Sequence, residues 1–423
     1  MKTFPADPCV ESLNPADAAF AVSSESSAAR PRRLPGAGDC SEDAKHLRRQ
    51  RLREAGYTLD QIAGEGAEIP ASRLSGSIEG YIGFARIPLG VAGPLRIQGR
   101  CADGEFFVPL ATSEGTLVAS FQHAFNAMNR SGGARTLCSD ARVGRAPCFE
   151  FADLSQAACF AAWLPAQRAE LELVVASGSR YCRLVDMRCS VVGNIVYVAF
   201  EFATGDAAGQ NMVTSAAQAL CARLLENTPV QPRSWLVESV LSGDKRSSPI
   251  AFRSARGRNA SAEIVLQSRQ VRRYWRAEVP DMVRAWQQAT AGAIQTGAVG
   301  LQGNVANAVA ALFIACGQDV ACIAEACTAL TRVEATRDGD VYFSVTLPNL
   351  IVGTVGGGTF LPTAQECLGM LDCVGADKAG KLAEIIAAVA LAGEIAIVGA
   401  MASGSFAAAH AAASDKARVR PVA

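Results

Sequence analysis

Cys182–Phe202, CRLVDMRCSVVGNIVYVAFEF, holds two strand-like runs, Cys182–Val192 and Asn194–Phe202, dense in valine and aromatic residues. A helical piece precedes them, and a helix from about Ala207 to Glu226 follows. Strands and helices mixed in this way over residues 149–236 predict a small α+β unit of its own. On either side the pattern is mainly helical, with Ala- and Gly-rich helices suited to close contacts and one strand-like run, Val341–Pro348 (VYFSVTLP), after residue 237. The fold class expected is therefore α+β.

At 423 residues the chain can build two or three domains with substantial cores. Its 40 Lys and Arg balance its 40 Asp and Glu, so no nucleic-acid partner is expected. The fourteen cysteines form no zinc-like CxxC pairs, and Cys221, Cys316, Cys322 and Cys327 sit in apolar helical contexts. That usage suits reduced thiols in the cytoplasm, with no metal site. MKTFPADPCVES places acids and prolines where a secretory signal needs an apolar stretch. Ala291–Gln318 and Ile395–Ser414 are long and uncharged, but their Asn, Gln, Ser, His and Gly residues read as buried helices rather than membrane spans.

Residues 1–40, rich in Ala, Ser, Pro and Gly without periodicity, predict disorder. Residues 41–68 form a short helical region in which Lys45–Glu54 (KHLRRQRLRE) offers a solvated basic face. Ile69–Leu95 is turn-rich and apolar, and Phe106–Ala111 (FFVPLA) is strand-like. Leu110–Ser120, LATSEGTLVAS, then opens a helix with Thr112 and Ser113 as N-cap candidates and Glu114 in the first turn. Ser131–Ala134, SGGA, ends that helix through glycine. Glu114 has two readings: an acid favoured by the helix dipole, or a partly desolvated carboxyl able to hold a proton near neutrality.

Three further polar residues interrupt apolar or glycine-rich surroundings. They are Lys245 in SGDKRSSP beside Asp244, Asp319 in FIACGQDVAC, and His410 in SGSFAAAHAAAS. Each alone has an ordinary reading as a solvated lysine, a capping acid or a core histidine. Gly205–Met212, GDAAGQNM, opens a helix after a strand and so presents backbone N–H groups to a phosphate, although it is not GxGxxG. Gly353–Thr359, GTVGGGT, lets backbone approach a ligand closely. A Lys, a Glu, an Asp and a His around a nucleotide-accepting loop fit hydride transfer to a carbonyl, the lysine stabilising the oxyanion and the acids managing protons.

Taken in order, IGFARIPLGVAGPL, LATSEGTLVAS, DAAGQNM, SGDKR, ACGQD, VGTVGGGT and the late histidine resemble the 3-hydroxy-3-methylglutaryl-CoA (HMG-CoA) reductase family from about Ile69 to His410. The likeness is to its class I, NADPH-using type without that type's membrane anchor. It implies a helical large domain (69–148 and 237–423) interrupted by a small ferredoxin-like NADPH domain (149–236). It also implies a homodimer or homotetramer with the active site at the subunit interface. The implied reaction reduces an acyl-CoA thioester with two NADPH, through a hemithioacetal and an aldehyde, to mevalonate and CoA. By the same resemblance, Lys245 polarises the carbonyl, Glu114 delivers protons, Asp319 tunes both, and His410 protonates the departing thiolate. Asp206, Gly209, Gln210, Asn211 and Met212 fall on the cofactor helix, Val355, Gly356, Gly357 and Gly358 near the nicotinamide, and Ser179 and Arg180 near the adenosine phosphate. Arg145, Asp244, Arg246, Asn307 and Ser120 fall on substrate positions.

Several pocket positions depart from that pattern. Gln122 and His123 replace an Asn-Arg pair, and Glu79–Gly83 (EGYIG) replaces ENVIG. In Glu238–Arg246 (ESVLSGDKR), a serine and an asparagine that hold the substrate's free carboxylate are either replaced by Glu238 and Val240 or lost to a shortened loop, and Gln287 stands for a lysine. Arg145 in VGRAP keeps the family's carboxylate-binding arginine. Fewer cations and an added acid imply weaker binding of an anion. Beside the HMG-CoA reading stand two others: reduction of a different acyl-CoA thioester, and non-catalytic binding of CoA or a nucleotide.

Overall fold

The computed structural model describes residues 34–35, 39–139, 141–253 and 256–404. The expectation of disorder over 1–40 falls almost wholly outside these, and so does His410. Among the described residues eleven strands form two sheets. They are β1 (Leu89–Gly99), β2 (Asp103–Ala111), β3 (Ala134–Cys138), β4 (Val143–Arg145), β5 (Cys148–Glu150), β6 (Arg183–Val192), β7 (Ile195–Ala203), β8 (Ser234–Leu236), β9 (Arg258–Leu266), β10 (Leu330–Ala335) and β11 (Val341–Leu350).

The larger sheet runs β10-β11-β9-β3-β1-β2, all antiparallel except the parallel β1–β3 pair. Along β11 the burial alternates, with Val341, Phe343, Val345 and Leu347 facing inward, as a half-covered strand requires. The helix Ala379–Ala402 lies against that face. It is apolar all round and buried on nearly every side, the pattern of a core helix. Two carboxylates inside it are fully buried. Glu384 accepts from Cys101 N–H, Ala102 N–H, Thr136 Oγ–H and Cys138 N–H at 2.8–3.1 Å. Glu394 accepts from the backbone N–H of Gly303 and Asn304 and from Thr331 Oγ–H. Each clamps a loop to the helix, and burial pushes both carboxyls above their ordinary range.

The second sheet runs β4-β7-β5-β8 with β6 paired to β7. The two runs that open the sequence reading form the β6–β7 hairpin, turned at Gly193 with φ +61°. Helices Leu154–Trp163 and Arg168–Gly178 pack beside it, and Gln210–Asn227 packs on β4 and on Arg168–Gly178. This sheet begins at Val143, so Arg145 sits on its first strand.

Three features differ from the sequence reading. Beyond residue 237 the chain adds β9 and β10 to the one strand expected. β9, RNASAEIVL, carries small residues of low strand propensity because it lies centrally against the long helix. The helix after LATSEGT begins at Leu117, behind Thr116 at φ +71°, so Thr112 and Ser113 do not cap it and Glu114 lies ahead of its first turn. The uncharged stretch 291–318 is split between helices Val279–Gln295 and Val305–Ala315, with left-handed Gly297 and Gly300 between them.

Candidate active site

The loop from β8 to β9 carries Lys245. Val240, Gly243 and Lys245 have φ of +71°, +76° and +56°. Two of them are not glycine, and such positions cost on the order of 1–3 kcal/mol each unless surrounding contacts fix them. Contacts do: Ser239 donates backbone N–H and Oγ–H to Ala146 O, Val240 N–H goes to Glu238 Oε1, and Lys245 N–H goes to Glu325 Oε1 at 3.2 Å. The side chain so aimed places Lys245 Nζ 3.1 Å from Asp319 Oδ2, with both groups about two-fifths exposed. The hydrogen bond to Asp319 raises the lysine's pKa. Burial raises that of Asp319, but the bonds from Lys245 and from Ala321 N–H outweigh it and hold the carboxyl below its usual range. The pair thus favours a charged lysine and an ionised aspartate.

Behind this pair lies a buried guanidinium cluster. Arg256, 1 % exposed, donates Nε–H to Glu325 at 2.6 Å and further N–H groups to Asp244 (2.6 Å), Gln210 Oε1 (2.8 Å) and Gly144 O (2.8 Å). Arg145 bonds Asp244 at 2.8 Å, Glu238 at 3.4 Å and Gln210 Oε1 at 3.2 Å. Gln210 in turn donates to Cys322 Sγ, whose thiol donates to Asp319 Oδ2 at 3.5 Å. Lys245, Asp319, Asp244, Arg145 and Gln210 therefore belong to one connected network. Burial pushes the Cys322 thiol far up, so it acts as a neutral donor.

Three glycine-bearing turns meet beside it. Gln318 brackets Gly353, donating to its carbonyl at 3.0 Å and accepting its N–H at 2.8 Å. The backbone carbonyl of Asp206 accepts Thr354 N–H at 2.9 Å, while its carboxylate takes the N–H groups of Asp377 and Ala379 at the start of the long helix. Gly317 and Gly358 touch so closely that a Cβ on Gly317 would lie 2.3 Å from Gly358 O, and its φ of +64° also demands glycine. Val355, Gly356 and Gly357 remain exposed. Gly209, at φ +79°, precedes the helix Gln210–Asn227, whose first turn has no side-chain cap. Asn211 is exposed there and Met212 packs inward. Ser179 accepts from Tyr181 and Cys182 N–H, and the exposed Arg180 lies over the Tyr181 ring.

Other candidates stand apart. Glu114 is exposed, donates its N–H to Thr112 Oγ1, and forms no ion pair with Lys245 among the described residues. Ser120 and Asn307 are half-buried on helices Leu117–Arg130 and Val305–Ala315, Arg246 bonds Asp244 O at 3.0 Å, and Gln287 is exposed. Gln122 is spent on Gly93 N–H at 2.9 Å, and His123 on Tyr274 O at 2.7 Å. Sequence reasoning passed over Arg256 and Glu325. Arg256 lies in RSARGR, which looks like a surface charge run; Glu325 was visible as a lone carboxylate in the apolar CIAEAC.

The family model described as hydroxymethylglutaryl-coenzyme A reductase matches residues 44–414. The chain is 37 % identical to the 3-hydroxy-3-methylglutaryl-coenzyme A reductase of Pyrococcus abyssi, over 87 % of this chain and 91 % of that one. It is 39 % identical to the protein of that name from Halobacterium salinarum, over 79 % and 84 %. The structure is similar to a class II 3-hydroxy-3-methylglutaryl-CoA reductase from Streptococcus pneumoniae bound to NADPH, with a TM-score of 0.67 at 19 % identity, covering 86 % of this chain and 97 % of that one. At that identity the likeness is one of fold.

Proposed function

Since the chain belongs to the hydroxymethylglutaryl-coenzyme A reductase family, we propose that it reduces HMG-CoA to mevalonate and CoA with two NADPH. The observation that carries this reading is the Lys245–Asp319 ion pair, set on a strained loop beside the glycine turns. Asp319 keeps Lys245 charged, and that charge stabilises the oxyanion that develops on the substrate carbonyl. Glu114 supplies protons to that oxygen, and His410, outside the described residues, protonates the departing thiolate.

The residues present fit NADPH. The uncapped N-terminus of Gln210–Asn227 suits phosphate, Ser179 and Arg180 suit the adenosine phosphate, and Val355, Gly356 and Gly357 leave backbone open to the nicotinamide, with Gly358 packed behind them. When bound, NADPH supplies the hydride. Residues 149–236 with β4 then serve as the small cofactor domain, and the flanks as the large one.

Glu114 forms no ion pair or hydrogen bond with the Lys245 of its own chain among the described residues, and Ile78, Ile82, Phe84 and Ile87 form an exposed apolar run just ahead of β1. Both support a homodimer, or a homotetramer built from two such dimers, in which Glu114 of one chain serves the lysine of the other. The burial of the one long apolar helix among the described residues supports a soluble, cytoplasmic enzyme.

The test follows NADPH absorbance with HMG-CoA and with acyl-CoAs lacking the distal carboxylate. Oxidation with HMG-CoA, abolished in Lys245→Ala, is expected; no oxidation by folded protein with any thioester overturns the reading. Mixing Glu114→Gln and Lys245→Ala chains restores part of the activity if the site is shared between subunits. A second reading, reduction of another acyl-CoA, is favoured by the position of Glu238 on Arg145.

A further inference from the structure

We infer that Glu238 determines acyl-group specificity by competing, as an internal carboxylate, for the guanidinium of Arg145. The inference rests on the reading of the chain as an acyl-thioester reductase. Arg145 is 6 % exposed, and one of its terminal nitrogens already faces two carboxylates, Asp244 at 2.8 Å and Glu238 at 3.4 Å. Glu238 is not a loose neighbour. Its Oε1 accepts Val240 N–H at 2.6 Å, and its Oε2 accepts Ala146 N–H at 3.2 Å and Ser242 Oγ–H at 3.0 Å. These bonds pin it to the loop that carries Lys245, with its charge directed at the arginine.

The charge balance gives the consequence. Arg145 is one buried cation against two anions, and the adjacent Arg256 is committed to Asp244 and to the fully buried Glu325. A ligand carboxylate arriving at Arg145 must displace Glu238 or sit against it as a like charge, and an unpaired charge in such a site is disfavoured. A neutral hydrogen-bonding group meets no such opposition. Arg145 Nε, buried and without a partner among the described residues, remains to receive an acceptor oxygen. The distal carboxylate of HMG-CoA is therefore held weakly here, and a neutral amide or ester at the same position is accepted at least as well.

Equilibrium binding by isothermal titration calorimetry tests this on the full chain with NADP+ in place of NADPH, so that no turnover accompanies binding. The ligands are HMG-CoA and the same thioester with its distal carboxylate replaced by a primary amide. The wild type is expected to bind the amide as tightly as HMG-CoA or more so. Glu238→Ser and Glu238→Gln are each expected to shift the Kd ratio toward HMG-CoA by about tenfold or more. A merely structural role for Glu238 would lower the melting temperature and leave that ratio in place. An unmoved ratio in either folded variant, or a wild type preferring HMG-CoA about tenfold or more, overturns the inference. NADPH oxidation measured in parallel separates the two claims: no turnover with either thioester, while the ratio moves, refutes the reductase reading and not the role of Glu238.

Discussion

Replacing Arg256 with leucine probes the centre of the site. The guanidinium is almost wholly buried and touches two carboxylates, Glu325 and Asp244. Leucine leaves Glu325 fully buried with no counter-charge, and breaking a buried pair from one side costs about 3–5 kcal/mol. Two further signatures follow. Burial already raises the Glu325 carboxyl above its ordinary range, with Arg256 pulling the other way. Without the arginine it rises further. A carboxyl whose pKa is higher folded than unfolded contributes stability that is present below the unfolded value and lost as pH rises through the folded one. The deficit of Arg256→Leu against wild type should therefore be largest on the alkaline side and shrink as the pH falls toward the acid side, as Glu325 takes up its proton. Second, Arg256→Leu combined with Glu325→Leu should recover part of the loss, because no unpaired charge remains. Differential scanning calorimetry across that pH range reads both. A deficit independent of pH, or a double variant less stable than the single one, would refute the argument that Glu325 is the stranded charge. Because Glu325 also holds Lys245 N–H at 3.2 Å, turnover should fall in Arg256→Leu at every pH.

Asp319→Asn removes the main cause of the raised Lys245 pKa, so the lysine loses its proton at lower pH. The alkaline limb of the pH–rate profile should move down, with turnover lowered about 100-fold, and an unmoved limb would separate Lys245 from that limb. Gly317→Ala places a Cβ 2.3 Å from Gly358 O at a φ of +64°. The turn must open, and NADPH affinity measured by fluorescence titration should fall about tenfold or more while the long helix stays intact. Glu394→Leu orphans the N–H groups of Gly303 and Asn304 and the Thr331 hydroxyl, at about 1–3 kcal/mol for each buried donor left unpaired. Glu394→Gln keeps an acceptor oxygen and should melt close to wild type.

What was legible in the sequence follows from where local preference decides structure. The β6–β7 hairpin could be read because its valines and aromatic residues favour strands wherever they lie. β9 could not: Asn259, Ala260, Ser261 and Ala262 form a strand there because the long helix approaches closely enough to need small side chains. Thr112 and Ser113 looked like caps by type, yet the left-handed turn at Thr116 moves the helix start beyond them. Lys245 and Asp319 stood out as polar interruptions, but no spacing rule announces that they meet. Arg256 was hidden for a related reason. An arginine in a basic run looks solvated, and its burial depends on Glu325 and Asp244 arriving from other segments.

Four carboxylates outside the Lys245–Asp319 pair share one physical task. Glu384 and Glu394 gather backbone N–H groups of loops at the long helix, Glu325 takes the N–H of Lys245, and Glu238 takes that of Val240. Among the described residues of the β8–β9 loop, Lys245 and Val240 are also the two non-glycine residues in left-handed conformation. An ionised acceptor holding the N–H of a strained residue opposes its relaxation, since a hydrogen bond to a charged group contributes about 1.5–3 kcal/mol, comparable with the strain itself. The position of Lys245 is thus set by Glu325 and not by the lysine's own preference. Glu325 can do this while fully buried because Arg256 compensates its charge. The buried cluster and the exposed ion pair are one device. Arg256 supports Glu325, Glu325 holds the backbone of Lys245, and the ammonium is thereby presented to Asp319.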